Sequence, residues 1–479
     1  MTRSSTSSLS PGAATAAAGW GELLGPHRWR AVALTGGVAL YAINVHIVTT
    51  ILPSVVRDIG GLAYYAWNVT LFVAASIAGS ALTGKLMGAM GARATYLMAL
   101  ALFGSGALLC GSAGSMGWML AGRAVQGIGG GLLAALAYAL IPLVFEPRMW
   151  PRAIALVSGM WGVSTLLGPA VGGLFAASGH WRVAFFALLP LLAAQAWLVW
   201  RQLGPATVRS ASGPAQAVPL GRIALLASSV VLVALAAQAD DDWLASACVL
   251  AGVLLAVWMA RIDLGHRANL LPHAAYRPRT VMGGVMACIA LLVMGSCVEI
   301  FLPYFLQGLH GYDPLGAGYA TAAMAAGWSL GSLGCSGLSG AAALRMIRLG
   351  PCMMTLGMAL LAFLMPAQWL PAGTLADGLI VLALGVTGLG IGMGWPHLVA
   401  CALHAAQPGE ENLTSSAITT VQLFAMALGA ALAGLVANQA GLGAGGAEAT
   451  ARAAWVLLAL FTLAPALAIF VARSVTRDR

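Results

Sequence analysis

Charge is scarce in this chain. Asp, Glu, Lys and Arg make up 8% of its 479 residues, against roughly 25% in a soluble domain. So few charges cannot clothe a soluble surface, and the 60% hydrophobic content assigns the chain to the polytopic membrane proteins. Lysine is almost missing: Lys85 is the only one among 23 basic residues. The seven cysteines (Cys110, Cys248, Cys288, Cys297, Cys335, Cys352, Cys401) contain no C-x-x-C pair. That argues against metal and dithiol chemistry and leaves them as packing residues. There is no G-x-x-x-x-G-K-[ST] segment, so direct drive by ATP is not expected. Neither a soluble domain nor a cluster of nucleophiles is evident, so no enzyme, no cofactor and no metal is expected.

What is present is apolar sequence in long runs. About twenty apolar residues make one crossing, and helices are expected near 30–52, 62–83, 95–113, 117–144, 153–177, 181–200, 222–239, 243–260, 281–308, 315–338, 346–366, 376–400, 413–437 and 453–473. That is an all-α polytopic chain of about fourteen spans. The net charge of +9 resides in the short connections, where it reports topology rather than nucleic-acid binding. With the amino terminus inside, one side receives Arg28, Arg30, Lys85, Arg93, Arg201, Arg222, Arg261, Arg345, Arg348 and most other basic residues, and the other only Arg57, Arg182 and Arg452. Positive charge resists translocation, so both termini are expected in the cytoplasm and the Asp240 to Asp242 turn outside. Residues 1–26 are rich in Ser, Ala and Gly and carry only Arg3 and Glu22 as charges, so they read as a disordered tail rather than a secretory signal.

The chain repeats itself. Thr49-Thr50-Ile-Leu-Pro53 in the first span parallels Glu299-Ile-Phe-Leu-Pro303 in the ninth, and the Gly-bearing basic stretches 84–93 and 340–348 follow spans two and ten. The resulting division is a tail at 1–29, a six-helix half at 30–200, a linker at 201–221, an inserted two-helix hairpin at 222–260, a linker at 261–280, a second six-helix half at 281–473 and a tail at 474–479. The first linker is rich in Pro, Ser, Gly and Ala from Gly204 to Gly221, as a flexible connection should be.

Three segments carry local chemistry. In the fifth span, Gly159-Met-Trp161-Gly162-Val-Ser-Thr-Leu-Leu-Gly168-Pro169-Ala-Val-Gly172-Gly173 sets small residues around one proline. Small residues admit a neighbouring backbone, and Pro169 removes a helix hydrogen bond. The segment is either a pliable seam or a plain packing interface. In the fourth span, Gly122-Arg123-Ala-Val-Gln126-Gly127-Ile-Gly129-Gly130-Gly131 places a guanidinium inside hydrocarbon. This costs at least about 2.5–3.5 kcal/mol unless the group faces the bundle interior and finds a partner. After the second span comes Gly84-Lys85-Leu86-Met87-Gly88-Ala89-Met90-Gly91-Ala92-Arg93.

Together these segments resemble the major facilitator superfamily, and the Gly-Pro segment resembles the antiporter motif of its fourteen-span drug/proton antiporters. The resemblance covers about residues 30–473 and implies two six-helix halves around a central site at mid-depth. It ties proton coupling to Arg123, and gating or packing to Gly84, Gly91, Arg93, Gly127, Gly159, Gly168, Pro169, Gly172 and Gly173. The chain also departs from the family. The acidic position of the loop after span two is Gly88 and its first basic positions are Ala89 and Ala92, so the inward latch is expected to be weak. The usual first-span aspartate, nine residues before Pro53, is Asn44.

Asn44 can hydrogen-bond but cannot carry a proton. His46 follows and can titrate, although two residues turn a helix by about 200°, so Asn44 and His46 cannot share a face. Glu299 is then the only acid well inside a span, four residues before Pro303, and intramembrane carboxylates point to function or to an ion pair, with Arg123 as one partner. Trp161, Trp328 and Trp395 could line a substrate cavity with Asn44 and Gln126, and would suit flat lipophilic cations.

The expectation is a proton-coupled exporter of lipophilic or amphiphilic compounds in the plasma membrane. Its partners are small-molecule substrates, protons and lipid, without nucleic acid, and the chain is read as a monomer. A metabolite importer of the same fold is the alternative, and a non-transporting sensor or enzyme a more distant one.

Overall fold

The computed structural model describes residues 25–146, 149–204, 220–239, 241–265, 269–338, 340–367, 374–407 and 410–476. Residues 1–24 and 477–479 of the expected tails, residues 205–219 of the first linker and Asp240 lie outside the described residues, while the first helix already begins at Arg28 and the last runs to Val475, inside the ranges expected as tails. Every segment expected to span is helical: α1 (Arg28–Ile59), α2 (Trp67–Met90), α3 (Ala92–Gly111), α4 (Met116–Ala139), α5 (Trp150–Ala177) and α6 (Trp181–Gln202), then the pair α7 (Leu220–Ala236) and α8 (Asp242–Leu264), and finally α9 (Val281–His310), α10 (Pro314–Cys335), α11 (Gly340–Leu364), α12 (Thr374–His404), α13 (Glu411–Gln439) and α14 (Ala447–Val475).

By length and composition alone, the expected count of fourteen spans is not reached. Among the described residues twelve helices are long and apolar enough to cross a membrane. Those outside the count are α7, with 17 residues, and α10, whose 22 residues are diluted by Gly, Ala and Ser. A correction concerns the stretch after α2. Helix continues through Gly84 to Met90, and the expected loop shrinks to Gly91, whose φ of 88° suits glycine, before α3 begins at Ala92. The basic stretch after α10 is likewise the start of α11.

The six helices of the second half repeat the packing of the first. α2 lies on α4 as α10 lies on α12, α3 on α4 as α11 on α12, and α1 on α5 as α9 on α13. Glycines set these close contacts. A Cβ at Gly127 or Gly131 of α4 would strike the backbone of Phe72 or Ser76 on α2, and a Cβ at Gly388 or Gly392 of α12 would strike Met324 or Trp328 on α10. The two halves meet along α5 against α10 and α2 against α13, which is the same pairing related by the repeat. The α7–α8 pair packs through α7 on both α2 and α13.

The loops gather at two ends. At the end where α1 begins and α14 stops, Arg93 stacks on Trp200 at 4.0 Å and Arg348 bonds the Thr476 carbonyl at 3.0 Å. Here Asp263, fully buried, accepts from Arg222 at 2.5 Å, from the Leu270 and Leu271 amides and from the Tyr276 hydroxyl at 2.8 Å. Burial and the adjacent Asp263 push the Tyr276 hydroxyl above the ordinary phenol range, so it stays a donor. This cluster fixes α7 and α8 to the segment that leads into α9. At the far end the few basic residues are tied down: Arg182 to Asp58 at 2.6 Å, Arg452 to the Ala440 carbonyl at 2.8 Å and Arg57 to Gln307 at 3.4 Å.

Candidate functional site

Two clusters of interior polar groups hold Asn44, His46, Arg123, Gln126 and Glu299, singled out in the sequence. The first lies within the first half. The glycines of α4 bring α2 so near that Arg123 Nε donates to the Asn68 carbonyl at 2.9 Å, and its guanidinium lies 4.0 Å from the centre of the Phe72 ring. Arg123 Nη1 donates to Gln126 Oε1 at 2.5 Å, and Gln126 Nε2 donates to Asn44 Oδ1 at 3.1 Å. Gln126 reaches this position because Gly106 of α3 leaves room for its backbone. Asn44, Gln126 and Arg123 are all at most 1% exposed. Asn44 therefore stands two hydrogen bonds from Arg123 rather than beside it, and the guanidinium is held by neutral groups. Tyr41 continues the cluster, stacked on Phe72 at 5.3 Å and edge-on to Trp161 at 5.9 Å.

The second cluster joins the halves. α9 is not one continuous helix: Val281–Ser296 gives way to a 3-10 turn, Cys297–Ile300, before Leu302–His310 resumes. The break follows from the Gly295-Ser296 pair and from Pro303, which leaves the Glu299 carbonyl without its helical donor. Glu299 sits on this turn, and its carboxylate approaches His46 Nδ1 of α1 at 3.7 Å. Its side chain is 24% exposed, whereas that of His46 is 8% exposed. The expected alternative in which Glu299 pairs with Arg123 is not what the structure holds. By contrast Pro53, the counterpart of Pro303, lies inside the unbroken α1. The Thr49 and Thr50 hydroxyls there bond back to the His46 carbonyl at 3.0 and 2.8 Å.

The fifth-helix seam contacts the second cluster. A Cβ at Gly168 would collide with His46 Cβ, and one at Gly172 would lie 3.0 Å from the Ile47 carbonyl. Gly318 of α10 fits against Thr50 and Pro169, and Gly173 against Leu315, so α1, α5 and α10 meet at these small residues. Gly159 faces open space, as does Gly84, so neither makes a packing contact. Trp328 and Trp395 pack on each other at 5.1 Å in the second half, while Trp161 meets Tyr41 in the first. Several contributors carried no clear signal in the sequence: Asn68 acts through its carbonyl, Phe72 through its ring, and Tyr65 stacks across the halves on Phe301 at 5.0 Å and meets Tyr304 at 5.6 Å. A polar Asn68 inside an apolar span was the one available hint.

Two six-helix halves, an arginine motif in α4 and a glycine-proline seam in α5 define a secondary transporter fold. The major facilitator superfamily model matches residues 34–430, and the chain belongs to that family of membrane transporters. A protein of Mycobacterium tuberculosis named a probable multidrug-efflux transporter is 37% identical over 466 residues, covering 96% of this chain and 97% of its own. Multidrug resistance protein 3 of Bacillus subtilis is 25% identical over 407 residues, covering 84% of this chain and 77% of its own. Among solved structures, a proton dependent oligopeptide family transporter superposes with a TM-score of 0.65 at 13% identity, covering 91% of this chain and 99% of its own. That likeness is one of fold.

Proposed function

We propose that the chain is a proton-coupled exporter of lipophilic or amphiphilic small molecules in the plasma membrane, with both termini cytoplasmic, and that it belongs to the fourteen-span drug/proton antiporters. The observation that carries the coupling is Glu299, an acid on a helix break at the boundary of the halves, partly exposed and 3.7 Å from His46. The likeness to a multidrug-efflux transporter over 96% of the chain supports export of drug-like compounds. Fold alone does not choose between import and export.

Fourteen crossings are supported by packing. α10 lies between α5 and α12, both of spanning length, and α7 lies along α2, α8 and α13. At about 1.5 Å per residue, α7 extends about 25 Å, close to the hydrocarbon thickness of about 30 Å. In this orientation the far end is external. Tyr65 on Phe301, Arg57 on Gln307 and Asn438 on the Ala63 carbonyl at 2.9 Å then close the external side. Glu299 would release its proton inward in this state and reload from outside after the halves rock. Substrate would be held between them, with the Trp161 and Trp328–Trp395 faces offering cation-π contacts.

Reconstituted vesicles with an imposed pH gradient test this reading with a lipophilic cation such as ethidium. Uphill movement against the proton flux is expected for the wild type. For Glu299→Gln, binding should persist while gradient-driven accumulation is lost. Accumulation by Glu299→Gln at the wild-type rate would overturn the role given to the carboxylate, and accumulation in the direction of the proton flux would make the protein an importer.

A further inference from the structure

The seam glycines and the Glu299 turn belong to different halves, yet both bear on the same imidazole. His46 lies on α1 with its Cβ against Gly168 of α5 on one side and its ring against Glu299 of α9 on the other. The space for that ring is set from behind by the absence of a side chain at residue 168. The next turn of α5 repeats the arrangement, with Gly172 against Ile47 and Thr50, and Gly318 of α10 closes it from the second half against Thr50 and Pro169. Any change in the bend of α5 at Pro169 therefore moves the α1 turn that carries His46.

We propose that His46 is a positioning residue for the Glu299 carboxylate, and that Gly168 couples it to the bend of α5, so that rocking of the halves changes the imidazole–carboxylate contact. The proposal rests on the reading of Glu299 as the proton-carrying group. It gives the Gly-Pro seam a role besides close packing: the seam sets the distance at which a titratable group of one half meets that of the other.

The surroundings leave few competing groups. On the turn itself Cys297 is the neighbouring titratable residue, and its thiol is directed to the Val293 and Met426 carbonyls at 3.4 and 3.5 Å. The α1 turn offers the Thr49 and Thr50 hydroxyls, already bonded to the His46 carbonyl. α5 offers Gly168, the turn before α2 reaches this region through Tyr65 on Phe301, and Tyr304 lies beyond it on α9. α13, α11 and α14 present Met426, Met354 and Pro465 near this stretch of α9. Arg123 on α4 is engaged by Asn68 and Gln126.

The test is the pH profile of ethidium accumulation in reconstituted vesicles at a constant pH difference, normalised to folded protein. His46→Gln keeps a hydrogen-bonding side chain and removes the imidazole. It should retain uphill transport and displace the midpoint of the profile by about one pH unit, the size expected when a group within about 4–6 Å is altered. Gly168→Ala should displace the same midpoint, and the double variant should move it no further than His46→Gln alone. Where Gly168→Ala does not accumulate in the membrane, Gly172→Ala replaces it, since its added methyl meets Ile47 and Thr50 at 3.0–3.2 Å rather than in collision. Gly334→Ala, facing open space on α10, is the control and keeps the wild-type profile. An unchanged midpoint in His46→Gln overturns the positioning role while leaving Glu299 as the carrier. A seam variant that lowers transport equally at every pH returns the seam to packing. Uphill transport by Glu299→Gln fails the underlying reading instead, and so separates the two.

Discussion

Arg123 carries a fixed charge in the interior, and its stability there comes from geometry. One nitrogen reaches a backbone carbonyl of α2, another reaches an amide oxygen one turn along its own helix, and the planar group lies on the Phe72 ring. A lysine keeps the charge but cannot make all three contacts from one ammonium. Arg123→Lys should therefore lose a charge-assisted hydrogen bond, about 1.5–3 kcal/mol. If the cluster supports transport, this amounts to about tenfold or more in rate. Efflux per folded protein is the measurement, and a wild-type rate would make Arg123 a tolerated structural charge. Asn44 and His46 were separable from sequence because two residues place side chains on opposed helix faces, and the structure directs one to Gln126 and the other to Glu299. That Glu299 would choose His46 over Arg123 was not legible, since partner choice depends on how far the 3-10 turn of α9 rotates the carboxylate. No pattern of residues specifies that rotation.

At the scale of helices, glycine spacing carried the fold and also misled. In α4, Gly127 and Gly131 recur every fourth residue and do pull α2 inward, whereas Gly159 in the seam and Gly84 in α2 face open space. A glycine in a sequence shows only that a close approach is permitted. Gly388→Ala and Gly159→Ala should therefore behave oppositely. A methyl at Gly388 collides with the Met324 carbonyl, and overpacking of this kind costs about 1–3 kcal/mol. One at Gly159 meets nothing within 4 Å and should be neutral or slightly stabilising, by up to about 1 kcal/mol, through higher helix propensity. Thermal stability in detergent would check the pair, and equal losses would mean that α10 and α12 are less tightly packed than described. Helix ends were legible to within a few residues where Pro, Gly or a cap marks them. α2 ran past its expected end because nothing before Gly91 stops it.

For the whole molecule, composition, the basic asymmetry and the internal repeat were enough to anticipate two halves, because each follows from the bilayer rather than from side-chain detail. What the sequence could not supply was the state of the assembly, which depends on contacts between residues more than a hundred positions apart. The seam supplies one handle on it. Gly173 and Leu315 stand at the far end of the interface between α5 and α10, and a Cβ on Gly173 would lie 3.1 Å from Leu315 Cβ. Disulfides need a separation of about 3.5–4.5 Å, within reach of a small adjustment. With the seven natural cysteines replaced, Gly173→Cys combined with Leu315→Cys should cross-link under mild oxidant, stop transport and release it on reduction, while each single variant responds to neither reagent. The bridge holds the two halves together at the end where Tyr65 meets Phe301 and Arg57 meets Gln307. A transporter that must open there cannot complete its cycle. Full transport by the cross-linked protein would mean that this end stays closed throughout, and the path of the substrate would have to be sought elsewhere than between the halves.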